Sequence, residues 1–344
     1  MADSDSVVLK QNRAPVFVVG APRSGTTLVA TILGRHNNIF AAGESHYFED
    51  MWSRRHELGD LKSEDSITTA VDRMMTLFGR FNFPDTQSIV DRIIDRQALV
   101  AKVHQLGGGY GSLYYAFVSL LAESKGKTYF CDDTPKHLYY LHTIFDFFHE
   151  AKVIGCVRDP RDFLCSYKNY WRKSEDSARV KALFHPVVTS LLWSSSSNLL
   201  LKHSNGSYHD RILLIQYEKL VEKPQIEVRR ICDFLGVDYS DELTQVNVHN
   251  SSFEQASTGI FSNSIGRWHT CLSVEEAWWV QQLTKKYMNA LSYAARPVVP
   301  SWRILLQDIV TAPFVFARAL QANSEKRGPL PGYIWRRLLA IVQR

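Results

Sequence analysis

Residues 15–27 read Pro-Val-Phe-Val-Val-Gly-Ala-Pro-Arg-Ser-Gly-Thr-Thr. Pro15 to Gly20 is a short apolar run ending in glycine, the form of a buried parallel strand. A turn rich in Gly, Pro, Ser and Thr follows, and Thr27 to His36 then has helical character. Backbone N–H groups at such a strand-to-helix turn bind anions, because they are unpaired and the helix dipole favours negative charge. Pro22 shapes the turn, while Gly20 and Gly25 keep its backbone accessible. Ser24, Thr26 and Thr27 add hydroxyl donors, and Arg23 adds a forked cation suited to oxyanions. The Gly-x4-Gly-x-Thr spacing imitates a Walker A loop, but Thr26 stands where the lysine belongs. ATP or GTP chemistry would lose its main cation there.

Working outward, Lys127 to Asp133, Ala151 to Val157 and Arg211 to Tyr217 read as further strands. Each is followed by a helical pattern. Thr134-Pro135 supplies an N-cap and a first-turn proline for a helix expected to reach about His149, and Asp159-Pro160 does the same for a helix carrying Phe163 to Trp171. A helix through Arg229, Arg230 and Phe234 follows the last of these strands. Ser273 with Glu276 makes a capping box for a helix ending near Leu291. Strands alternating with helices predict an α/β fold, a P-loop-like parallel sheet flanked by helices, with functional groups at the strands' carboxyl ends. The expected organisation is an N-terminal extension (1–14), one main domain (15–295) and a basic, amphipathic helical C-terminal extension (296–344). Residues 45–125 look like a helical insertion shaping an acceptor site, with a flexible Gly107–Gly111 loop.

The chain has 344 residues and a net charge of +5. From Pro313 onward there are six basic residues and one acid, so the preceding body is formally neutral. A neutral body argues against a nucleic-acid groove. Five widely spaced cysteines without a CxxC pair predict neither a disulfide framework nor zinc, which fits a reducing, cytoplasmic compartment. Tyr333 to Val342 puts Ile334, Leu338 and Val342 on one stripe and Arg336 and Arg337 opposite. This pattern suits an anionic membrane surface and peripheral attachment, or a terminal helix docked on the domain.

Pro22-Arg-Ser-Gly-Thr-Thr27 after an apolar strand resembles the 5′-phosphosulfate loop of sulfotransferases, in particular the protein-tyrosine and bacterial-type branches. The cytosolic branch carries lysine where this chain has Arg23. Arg158 at a strand end and Ser166 eight residues later resemble the family's 3′-phosphate pair; read alone, Arg158 and Asp159 would be a surface ion pair beside a capped helix. Tyr217-Glu218 is similar to the family's element near the nucleotide. Ser264-Ile-Gly-Arg267-Trp268 is similar to the segment that closes over the 3′-phosphate. The resemblance implies a 3′-phosphoadenosine 5′-phosphosulfate-dependent sulfotransferase, requiring no metal and acting on a hydroxyl-bearing acceptor such as a lipid, glycan, phenol or small metabolite.

Glu44 follows Arg23 at the spacing of the catalytic glutamate in the protein-tyrosine branch, which makes it the expected general base. The family's doubled glutamate is Gly43-Glu44 here. His46 is the alternative base, being intrinsically closer to neutral pKa. His104 resembles the histidine base of the cytosolic branch but is more simply a loop histidine. Where many relatives carry a lysine before Thr-Pro, this chain has Asp133, with Lys136 two residues beyond Thr134. A P-loop small-molecule kinase and a non-catalytic nucleotide-binding protein are the rival readings.

Overall fold

The computed structural model describes residues 14–82, 94–169, 184–248, 257–258 and 260–322. Its centre is a five-stranded parallel sheet in the order β2-β3-β1-β4-β5. The strands are β1 Val16–Gly20, β2 Ile39–Gly43, β3 Tyr129–Asp132, β4 Lys152–Val157 and β5 Ile212–Gln216. Along β1 the side chains alternate between two cores. Phe17 and Val19 join Tyr47, Phe48, Tyr114 and Trp193, whereas Val16 and Val18 join Val29, Ile32 and Ile231. Burial on both faces explains why the strand reads as an unbroken apolar run. Gly20 lies in register with Cys156. A Cβ on Gly20 would collide with the Cys156 carbonyl, so glycine permits the close approach of β1 and β4 at their ends.

Strands β1, β3, β4 and β5 fall where the sequence predicts them; β2 is an addition. Its five residues, Ile39-Phe-Ala-Ala-Gly43, are too short and small to stand out beside the preceding helix. Pairing of β2 with β3 slips between Ala41 and Gly43, a bulge that redirects the chain just before Glu44.

The helix predicted from Thr134 to His149 is split. A 3₁₀ turn spans Pro135–Tyr140 and an α-helix Leu141–Phe147, with non-helical backbone at Tyr140 between them. Thr134 does not cap it, because its hydroxyl donates to Asp132 Oδ1 at 2.7 Å instead. After β5, Lys223-Pro224 likewise divides the helical stretch into Tyr217–Glu222 and Pro224–Leu235. The capping box at Ser273 and Glu276 forms as read and opens the helix Val274–Ala290, which packs on Pro186–Ser204.

The insertion is helical, with Glu64–Asn82, Arg96–Gln105 and Gly109–Ser124 packed on one another. Its glycine run is a docked corner rather than a flexible loop. Gly109 N–H donates to Leu61 O at 3.2 Å, and a Cβ on Gly108 would stand 2.7 Å from that carbonyl.

Cys165 and Cys271 form a disulfide with Cα atoms 5.8 Å apart. This corrects the reading of the cysteines: a pair separated by 106 residues leaves no local spacing signal. The helix Trp302–Ala322 closes the described chain. The stripe read in Tyr333 to Val342, like residues 1–13, lies outside the described residues.

Candidate functional site

The loop after β1 sits at the centre of the sheet's carboxyl edge. Ser24 N–H donates to Ala21 O at 3.1 Å, tightening the turn, and Arg23 takes a left-handed conformation (φ 75°). Such backbone is costly for a residue with a side chain, and binding loops are where it recurs. Gly25 is the N-cap of the helix Thr26–Gly34, also left-handed (φ 100°). First-turn N–H groups, including those of Thr26 and Thr27, therefore face the turn.

Arg158 directly follows β4 and turns toward this loop. Its Nη1 donates to Arg23 O at 3.3 Å, and its Nη2 donates to Ser264 O at 3.2 Å. Its guanidinium lies 4.4 Å from the centre of the Tyr217 ring. The alternative ion pair with Asp159 does not form. Asp159 caps the helix Pro160–Lys168 through Arg161 N–H and pairs with the Arg161 guanidinium at 2.6 Å. Ser166, two turns into that helix, accepts from Arg23 Nε at 3.5 Å. Arg23 and Arg158 are thus adjacent.

Tyr217 joins the parts. Its ring covers Gly25, where a Cβ would come within 2.7 Å of Cδ2, and its hydroxyl is 2.7 Å from Ser264 Oγ. Arg267 is only partly buried, and its Nε donates to Asn263 O at 2.5 Å.

Two acids hold this arrangement: Asp162, which the sequence reading missed, and Glu218 of the Tyr217-Glu218 element. Asp162 accepts from Gly266 N–H at 2.7 Å and Trp268 N–H at 2.9 Å, fastening the Ser264–Trp268 segment to the helix Pro160–Lys168. Burial pushes its carboxyl up despite those bonds. Glu218 accepts from Asp159 N–H at 2.8 Å and Tyr293 O–H at 2.9 Å, and burial pushes it up too. None of these contacts is legible locally, since the partners lie 59 to 106 residues apart in sequence.

At the other end of the edge, Glu44 follows the bulge of β2. Its Oε2 is 3.1 Å from His46 Nε2, so the two candidate bases form one pair. Beneath them Asp132 is fully buried. It accepts from Ser45 Oγ at 2.5 Å, Tyr114 O–H at 2.7 Å, and both the amide and hydroxyl of Thr134. Burial pushes Asp132 up, but these bonds and nearby His137 outweigh it and hold the carboxyl below its usual range. Burial pushes His137 down, toward the neutral form. Asp133 is pushed up to about 7 by burial, with Asp132 and Glu44 adding like charge. Lys136 pairs with Glu49 at 3.0 Å. His104 is exposed in the last turn of Arg96–Gln105, a helix packed on the insertion's other helices.

Two polar atoms among the described residues bear on an anionic ligand. Ser24 Oγ and Arg158 Nε are buried without a hydrogen-bond partner. Unpaired buried donors are costly. Flanking one loop, they fit a ligand rich in phosphate or sulfonate oxygens.

The family model of the Sulfotransferase family matches residues 15–241. A Caenorhabditis briggsae protein whose name places it among the protein-tyrosine sulfotransferases is 21% identical over 312 residues, covering 85% of this chain and 94% of that protein. Nodulation protein NoeE of Sinorhizobium fredii is 25% identical over 288 residues, covering 76% and 61%. An uncharacterized Aquifex aeolicus protein is 23% identical over 75% of this chain, which spans only 30% of that longer protein. In fold, the sulfotransferase domain of the curacin biosynthetic pathway is similar with a TM-score of 0.55 at 19% identity, covering 83% of this chain and all of that domain. The Synechococcus olefin synthase sulfotransferase domain has a TM-score of 0.53 at 21% identity, covering 84% and 98%. Matched across the loop, all five strands and Tyr217, the chain belongs to the sulfotransferase family of enzymes.

Proposed function

We propose that this chain transfers a sulfonate from 3′-phosphoadenosine 5′-phosphosulfate to an acceptor hydroxyl, with Glu44 as general base. The observation that carries the reading is the convergence of Arg158, Ser166, Tyr217 and Ser264 on the Arg23 loop, with Ser24 Oγ and Arg158 Nε buried and unpaired. When bound, the donor supplies a sulfonate on an activated phosphosulfate linkage. The N–H groups of residues 24–27 and the Arg23 guanidinium form an anion cradle for the 5′ side. Arg158 and Ser166 provide a charge-assisted pair for a 3′-phosphate, the group that separates this donor from ATP. Arg267 adds a cation on the closing segment.

Glu44 takes the proton of the acceptor hydroxyl, a role generally contributing about 10²–10⁴-fold. His46, bonded to the same carboxylate, orients it and is the alternative acceptor of that proton. The acceptor is a hydroxyl on a lipid, glycan, phenol or small metabolite.

Calorimetry with adenosine 3′,5′-bisphosphate against ATP tests the donor assignment. Preferential binding of the bisphosphate is expected, and a preference for ATP would transfer the site to a kinase. Glu44→Gln should leave bisphosphate affinity within about twofold while turnover falls about 10²-fold or more. Parallel losses in both would make Glu44 a structural residue.

A further inference from the structure

The helix Trp302–Ala322 is amphipathic in the inverted sense. Its polar bonds face the protein: Asp308 Oδ2 accepts from Trp279 Nε1 at 2.8 Å, and Thr311 Oγ1 is 3.2 Å from His185 Nε2. Leu305 is its buried anchor, and Ser301 N–H ahead of it donates to Glu275 at 3.1 Å. The opposite face carries Trp302, Leu306, Ile309, Val310 and Phe314 on one stripe, all exposed, with Trp302 at 72% and Phe314 at 68%. A contiguous apolar patch of this kind marks an interaction surface, whereas scattered single residues do not. The helix is not long and apolar enough to cross a bilayer, and Leu305, Asp308 and Thr311 fix its first half to the domain.

Charge identifies what covers the face. Between residues 296 and 322 the one acid, Asp308, bonds inward, while Arg296, Arg303 and Arg318 are exposed. Residues 323–344 add Lys326, Arg327, Arg336, Arg337 and Arg344 against Glu325 alone. A second copy docked two-fold on the same patch would bring the exposed Arg303 and Arg318 of both chains together. Apolar and aromatic side chains flanked by arginines match the acyl boundary and anionic headgroups of a membrane surface. We propose that the outward face of Trp302–Ala322 lies in the plane of an anionic lipid bilayer, attaching the enzyme peripherally.

The test is flotation of the full chain with vesicles of phosphatidylcholine alone or with about one-third phosphatidylglycerol. Wild type should float with the anionic vesicles and be released by salt, as screening requires. Leu306→Glu/Phe314→Glu should reduce binding at least tenfold while thermal melting and bisphosphate binding stay unchanged. Arg336→Glu/Arg337→Glu in the full chain should retain part of the binding. Three results overturn the proposal: no binding to anionic vesicles, equal flotation of the Glu variant, or a dimer lost in that variant without any vesicle binding. Each is independent of donor and acceptor identity.

Discussion

Arg158 makes two backbone contacts, a ring contact and leaves Nε unpaired, so its charge is poised rather than consumed. Charge-assisted bonds contribute about 1.5–3 kcal/mol, so Arg158→Ala should weaken adenosine 3′,5′-bisphosphate about 10–100-fold. Adenosine 5′-phosphate should change little; equal losses by calorimetry would mean that the residue supports the loop instead. Asp133 is the opposite case, a buried acid among acids. Its folded pKa of about 7 stands above the ordinary 3.8, so between those values the native state holds a proton that the unfolded chain has lost. Stability is therefore full below about pH 4, falls as pH rises toward 7, and is constant beyond. The penalty reaches about 4 kcal/mol. Asp133→Asn should recover up to that amount at pH 8 and almost none at pH 4, as read from denaturant midpoints. A gain equal at both pH values would refute the burial argument.

At the scale of elements, the segment Ser264–Trp268 is held by Asp162 and, just beyond, by the Cys165–Cys271 disulfide. Both ties run to the helix that carries Ser166, so the Ser264–Trp268 segment and Ser166, half of the proposed 3′-phosphate pair, are joined as one piece. Asp162→Ala should speed hydrogen exchange at Gly266 and Trp268 and weaken the bisphosphate at least fivefold. Unchanged exchange would show that the segment is fixed elsewhere. Cys271→Ser should cost about 2–4 kcal/mol of stability, because a long loop is no longer closed in the unfolded chain. These ties also mark the limit of legibility. The loop at Pro22–Thr27, the Asp159 cap and four strands are local patterns, written in contiguous residues. Asp162, Glu218 and the cysteine pair act across tens of residues, and nothing at either partner names the other. The short β2 and the divided helix after Thr134 were illegible for a different reason. Strand β2 has too few large apolar residues to stand out, while packing of His137 on Phe17, and a buried Asp132 that claims the Thr134 hydroxyl, overrode the local capping signal.

At the scale of the whole molecule, the site is assembled from residues 22–27, 158–166, 217 and 264–267, which reach it from β1, β4, β5 and the last loop. The same strands divide the two cores, with β1 contributing alternate side chains to each. A ligand bridging these segments therefore stabilises the sheet as a unit, not one loop. At a hundredfold excess over its Kd, adenosine 3′,5′-bisphosphate should add about 2.7 kcal/mol and raise Tm by roughly 5 °C. The rise should be the same by far-UV circular dichroism and by fluorescence of buried Trp193, which donates to the Arg158 carbonyl at 3.0 Å. Gly25→Ala should remove most of it, since the added methyl displaces the Tyr217 ring from the loop and with it the surface on which Arg158 rests. A rise seen by fluorescence alone would mean that the ligand orders only the site and leaves the sheet's unfolding untouched.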